Sequence, residues 1–419
     1  MDNVTHSLAG LLLAELAREL HGRPVLSRRV AAVTAIVAAN LPDGDLLYAG
    51  APSGLGKLGY LLHHRGHTHT VVAALLGAVL VWGAALAWWR WVRRTHHAPA
   101  TRDDRRWLLG LCVAGTLSHL LLDFTNNYGV HPFWPFDNGW HYGDAVFILE
   151  PWLWVAAVPP LVLAIRGRAA RGVLALLLVG VLIAAWRVDM VARGAALTLT
   201  LGTLAWFALA AVVRPGRRIA AGVMAWCVVE IVFFGASHAA RSEVERAAIA
   251  VGAAPLVDVA LTPAVSDPLC FDALVVEADA TTYRASTVTV APFPRLLPAS
   301  RCAGAQYPSA TRPASASVRW RTEWSAPRAE LAALARDNCV VAAALRFVRV
   351  PVWLRDTTTV SIADLRFSRG GGGFAEIEAP IHPTTCPAHL PPWTPPRAAL
   401  LAPLTDARAD GHPSPVERR

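Results

Sequence analysis

Apolar residues in this chain fall into long blocks rather than alternating singly. The blocks lie at roughly 4–17, 30–42, 69–92, 107–122, 145–165, 172–190, 195–213 and 218–238. A helix needs about 20 residues to cross a bilayer. The third and fifth blocks reach that length and the last three nearly do. The first two are short, which fits tilted helices, half-spanning helices or a re-entrant hairpin. The pattern predicts a membrane α-helical bundle of about eight hydrophobic segments over residues 1–238.

After about residue 240 the period changes. Stretches 273–277, 286–290 and 358–362 are short, rich in β-branched residues and bounded by turn signals, so they predict strands. Residues 329–337 predict one helix, and 370–373 a glycine loop. The expectation is a β-rich (α+β) domain over 239–390. A Pro-rich tail over 391–419 is expected to be disordered.

Composition supports the membrane reading. The chain is 54% hydrophobic and only 16% charged, whereas soluble domains are nearer a quarter charged. The net charge is +9, but the arginines lie between apolar blocks, where membrane topology places them. Nucleic acid is therefore not an expected partner. The start, Met1-Asp2-Asn3, lacks the basic region of a signal peptide, so the first block is expected to be retained.

Arginine placement predicts the orientation. One set of loops holds Arg18, Arg23, Arg28 and Arg29; Arg90, Arg93, Arg94, Arg102, Arg105 and Arg106; Arg166, Arg168 and Arg171; and Arg214, Arg217 and Arg218. The alternate loops hold mainly Arg65, Arg187 and Arg193. The positive-inside rule puts the first set in the cytoplasm. The β-rich domain is then extracytoplasmic, on a multi-pass membrane protein. Four cysteines of that domain, Cys270, Cys302, Cys339 and Cys386, suit disulfides in an oxidising compartment. Three pairings are open, and their wide spacing fits zinc less well. Cys112 and Cys227 lie inside apolar blocks and read as small buried residues.

Polar, metal-capable residues collect on the predicted outer side. His119 and Asp123 are four residues apart, which puts both on one face of a helix. His63 and His67 repeat that spacing, with His64 and His69 beside them. Asp43 and Asp45 flank a glycine after a helix end, where either could act as general base or bridge metals. Arg65 could bind an anionic substrate group. His6 lies near the start of the first block, on the same side. The loop 126–144 is rich in aromatics, as an interfacial belt requires; Asn126, Asp144 and Glu150 there are candidate supporting groups, as is His64. His21, His96 and His97 sit among the cytoplasmic arginines and are set aside. Histidines with carboxylates predict a divalent metal, zinc first, with manganese or iron as alternatives.

Together, Thr5-His6, Leu41-Pro-Asp-Gly-Asp45, His63-His-Arg-Gly-His-Thr-His69 and His119-x-x-x-Asp123 with a Trp-rich loop after it resemble the YdjM family. These are inner-membrane proteins described as membrane-bound metal-dependent hydrolases. The resemblance is strong over about residues 1–165. It implies a distant likeness to zinc-dependent phospholipase C and P1-type nucleases. It also implies His6, Asp45, His63, His67, His69, His119 and Asp123 as metal ligands; the catalytic candidates from residue chemistry are Asp43, Asp45 and Arg65. The expected partner is membrane lipid, and the expected substrate a lipid or envelope phosphodiester or an ester. The alternatives are a transporter or metal-handling protein using the same cluster, with Asp189 and Glu230 on its path, and a regulatory protein tied by metal. No Gly-x-Ser-x-Gly and no phosphate-binding glycine loop competes.

Overall fold

A computed structural model describes residues 1–21, 28–92, 101–303, 312–368 and 373–401. Arg23, Arg93, Arg94, His96, His97, most of the 370–373 loop and residues 402–419 lie outside the described residues.

The chain opens with α1 (Asn3–His21) and α2 (Arg28–Asn40). A tight 3-10 turn at Leu41–Asp45 leads into α3 (Leu46–Ala49) and α4 (Gly56–His63). The long helices α5 (Val71–Val92) and α6 (Arg102–Phe124) follow, then α7 (Pro151–Ala164), α8 (Arg168–Arg187), α9 (Arg193–Val212) and α10 (Arg218–Val251). Small residues let α1, α2 and α6 cross closely. A Cβ on Gly10 would lie 2.7 Å from the Ala35 carbonyl oxygen, and one on Gly115 would lie 2.8 Å from the Ala38 Cβ. Membrane helices use such contacts because lipid supplies no hydrophobic drive between them. Thr101 and Asp104 form a reciprocal capping box that starts α6.

Among the described residues, six helical stretches are long and apolar enough to cross a membrane: Arg28–Ala49, Val71–Trp91, Arg102–Phe124, Arg168–Arg187, Arg193–Val212 and Pro215–Val251. They account for six of the eight expected segments. The block at 4–17 is α1, which carries Glu15, Arg18 and Glu19. The block at 145–165 becomes helical only at Pro151, leaving 14 residues in α7.

Helix α10 joins the bundle to a carboxy-terminal β domain. At 1.5 Å per residue its 34 residues run for roughly 50 Å. Its last turns place Ala236, Ala240, Val244 and Ala248 four residues apart against the sheet side chains Val259, Phe271, Val275 and Trp320. Gly252 ends the helix in the left-handed region, with φ 62°. The first sheet is an antiparallel meander of β1 (Leu256–Ala264), β2 (Asp267–Ala278), β3 (Thr282–Val290) and β4 (Val318–Pro327). Helices α11 (Arg328–Asp337) and α12 (Cys339–Ala344) precede a second antiparallel sheet, β5 (Pro351–Arg355), β6 (Thr359–Asp364) and β7 (Glu376–Pro380).

The four domain cysteines form two disulfides, Cys270–Cys302 and Cys339–Cys386. Cys112 is buried as expected, but Cys227 is exposed on the surface of α10. Residues 391–401, expected to begin a disordered tail, instead fold back over the bundle. They end in the short α13 (Ala398–Leu401) and bury Trp393, which is 2% exposed.

Candidate metal centre

Three elements meet where the bundle faces the β domain. The 3-10 turn after α2 supplies Asp43 and Asp45. The turn before α5 supplies His69, and the last turns of α6 supply His119 and Asp123. His119 and Asp123 share a helix face, as their spacing requires.

Asp43, His69, His119 and Asp123 each aim one ligand atom at a common point, with all four atoms within 4.8 Å of one another. The His69 and His119 Nε2 atoms face each other at 3.0 Å. Asp123 Oδ2 lies 2.9 Å from His69 Nε2 and 3.3 Å from His119 Nε2, and Asp43 Oδ1 lies 3.5 Å from each. Hydrogen-bond partners fix the tautomers. His119 Nδ1 faces the Ala39 carbonyl oxygen at 2.7 Å, so it carries hydrogen and leaves Nε2 a lone pair. Thr68 donates to Asp45 Oδ2 at 2.7 Å, so its oxygen can only accept from His69 Nδ1, 3.0 Å away. Two imidazole lone pairs and two carboxylate oxygens thus converge with no donor between them, which is the donor set of a divalent cation. Without an ion, a proton must answer that charge. Burial alone would lower the His69 imidazole, but Asp123, Asp43 and Asp45 outweigh it and raise it to about 10.

The remaining oxygens are also held. Asp123 Oδ1 meets Arg65 Nη2 at 3.0 Å, the Met1 amino group and, at 3.3 Å, His6 Nε2. Arg65 takes a left-handed backbone, with φ 59°, and also donates to the Asn126 side-chain oxygen at 2.9 Å. Asn3 donates to Asp43 Oδ2 at 2.8 Å. Asp45 accepts from His64 Nδ1 at 2.9 Å, from the Arg65 backbone at 3.0 Å and from Thr68. It thereby orients His69 from behind. Asp43, Asp45 and His64 form a second close group, but its shortest link is the His64–Asp45 hydrogen bond.

The expected residues therefore separate. His69, His119 and Asp123 meet in the centre, and Asp43 joins them rather than standing apart as a base. Asp45 stands behind His69. His6 is stacked on His119, with ring centroids 3.8 Å apart, and reaches only the outer oxygen of Asp123. His63 and His67 point away. The His63 ring lies 6.1 Å from Tyr48, and the His67 ring lies between Trp134 and Trp393 at 4.7 and 4.8 Å. Asn126 supports Arg65, but Asp144 and Glu150 serve elsewhere. Asp144 pairs with Arg349 at 2.8 Å and Arg241 at 3.0 Å. Glu150 caps α7. The Ala39 carbonyl, Asn3 and Trp393 were not foreseen, and a backbone carbonyl leaves no sequence signal.

Residues 1–194 match the YdjM inner membrane protein family. The match contains every member of the cluster. No curated protein and no solved structure matches the chain, and the expected likeness to phospholipase C and P1-type nucleases is not shown.

Proposed function

We propose that this YdjM-type protein is a membrane metal-dependent hydrolase acting on a phosphodiester or ester at the membrane surface. The observation that carries the reading is the convergence of Asp43, His69, His119 and Asp123 without an intervening donor. Zinc suits two imidazoles and two carboxylates. A bound ion would polarise a substrate oxygen and lower the pKa of a water. The protein's own groups do the rest. Asp45 and Ala39 hold the two imidazoles in one tautomer. Arg65 sets the Asp123 carboxylate and places a positive charge beside the centre. Asp43 is the member least enclosed, its side chain 9% exposed, and marks the side from which substrate arrives.

The cluster and the β domain share one side of the bundle, since Trp393 of the domain segment donates to the Leu62 carbonyl at 2.7 Å. Two disulfides favour the extracytoplasmic side for both. Helices α1, α2 and α5–α10 then alternate in direction as eight segments, six spanning and two shorter. A phosphatase reporter fused after residue 401 is expected to be active only outside the cytoplasm.

Purified protein loaded with zinc should hydrolyse a phosphodiester probe or phospholipid vesicles. Asp123→Asn and His119→Ala should abolish the activity. Metal bound by the wild type with no turnover of phosphodiesters or carboxylic esters would rule out hydrolysis and favour metal handling.

A further inference from the structure

The segment between α6 and α7 contains a compact turn at residues 132–137. The Phe136 and Asp137 backbone N–H groups both donate to the Phe133 carbonyl, at 2.9 and 3.1 Å. The turn presents two phenyl rings outward. Phe133 is 54% exposed and Phe136 90%, and no other large apolar side chain among the described residues is as exposed as Phe136. In water such a pair has no partner.

Its position supplies one. The Val71 backbone N–H donates to the Pro132 carbonyl at 3.0 Å. Val71 is the first residue of the span Val71–Trp91, and both it and Val72 are exposed. The turn is thus fastened to the point where a spanning helix enters the bilayer. Asp137 and His141 pair at 3.0 Å on the polar flank of the turn, with both side chains partly exposed. Apolar rings beside an exposed polar pair at that level match the chemistry of the headgroup–acyl boundary.

We propose that Phe133 and Phe136 seat this turn in the lipid bilayer, so that the lipid surface is the partner of the exposed pair. Trp134 lies between the two rings in sequence but packs inward, edge-on to His67 at 4.7 Å. The turn therefore ties the 63–69 loop to the membrane surface. The proposal rests on α5 crossing the membrane and is independent of metal binding and of hydrolysis.

A nitroxide at position 136 tests it. F136C is made in a Cys112→Ala, Cys227→Ala background, where the other cysteines are bridged, and placed in phosphatidylethanolamine–phosphatidylglycerol vesicles. Collision with oxygen is compared with collision with a water-soluble nickel chelate. L76C on the exposed face of α5 gives the lipid reference, and T357C in the exposed β5–β6 turn gives the aqueous one. The oxygen-to-nickel ratio at F136C should be several-fold above T357C and approach L76C. A ratio equal to that of T357C overturns the proposal. So does spin–spin broadening between copies, which would make a second protein chain the partner. F133C repeats the measurement should F136C fold poorly.

Discussion

Asp45 touches no common point of the centre, yet it fixes His69 by accepting from Thr68 and lying 3.3 Å from His69 Nδ1. Carboxylates that orient a ligating imidazole typically carry 10–100-fold in metal affinity. Asp45→Asn should therefore weaken zinc binding by about that factor in chelator competition, while His63→Ala and His67→Ala leave it close to wild type. The same residues show what spacing can reveal. The interval of four between His119 and Asp123 worked because α6 runs through both. It failed for His63 and His67 because α4 ends at His63, so no shared helix face exists between them. Glu150 makes a separate prediction. Its carboxylate accepts from the Trp152 and Ser266 backbones at 3.1 and 3.2 Å, and burial pushes it from 4.5 up to about 8. A pKa raised on folding contributes stability that is complete below the unfolded value and is lost as pH rises through the folded one. Glu150→Gln stays neutral. Its melting temperature should gain on the wild type as pH rises from about 5 to 8, and a constant difference would refute this.

At the scale of elements, the segment after β7 fastens the site. Cys386 is bonded to Cys339 on α12. Seven residues on, Trp393 stacks on His131 at 3.7 Å, and a Cβ on Gly66 would sit 3.1 Å from its ring. The Thr394 backbone donates to the Asn138 carbonyl at 3.1 Å. Removing this disulfide, which closes a span of 47 residues, should cost about 2–4 kcal/mol. Cys339→Ser with Cys386→Ser should also raise amide exchange around Leu62 and Gly66. Cys270→Ser with Cys302→Ser, at the far end of the first sheet, should leave exchange there unchanged. The elements themselves were largely legible. Stretches 273–277 and 286–290 fall in β2 and β3, 358–362 overlaps β6 from Thr359, and 329–337 falls in α11. The segment at 391–401 was misread because its Pro-rich composition resembles a tail. What orders it is tertiary: one buried Trp and the Arg346 side chain bonded to the Pro391 carbonyl at 2.5 Å.

Across the whole molecule, the bundle and the β domain are held by a buried charge network. The Arg349 guanidinium reaches Asp144 of the bundle at 2.8 and 2.9 Å and Asp258 of β1 at 2.8 Å. These partners lie 205 and 91 residues apart in the chain, a separation no local pattern reports. Asp144 therefore read as a companion of the metal when it is a companion of the domain. Helix periodicity and polarity revealed the bundle, and β-branched runs revealed the sheets, because each is a local consequence of what an element must bury. How the two parts dock, and which histidines turn inward, depends on long-range contacts. Whether Asp43, His69, His119 and Asp123 hold a divalent ion is decided by X-ray absorption at the zinc edge on purified, zinc-replete protein. The expected result is stoichiometric metal in a nitrogen and oxygen shell with imidazole scattering, lost in His119→Ala. Folded wild-type protein that binds no metal, or metal in a sulfur shell, would contradict it.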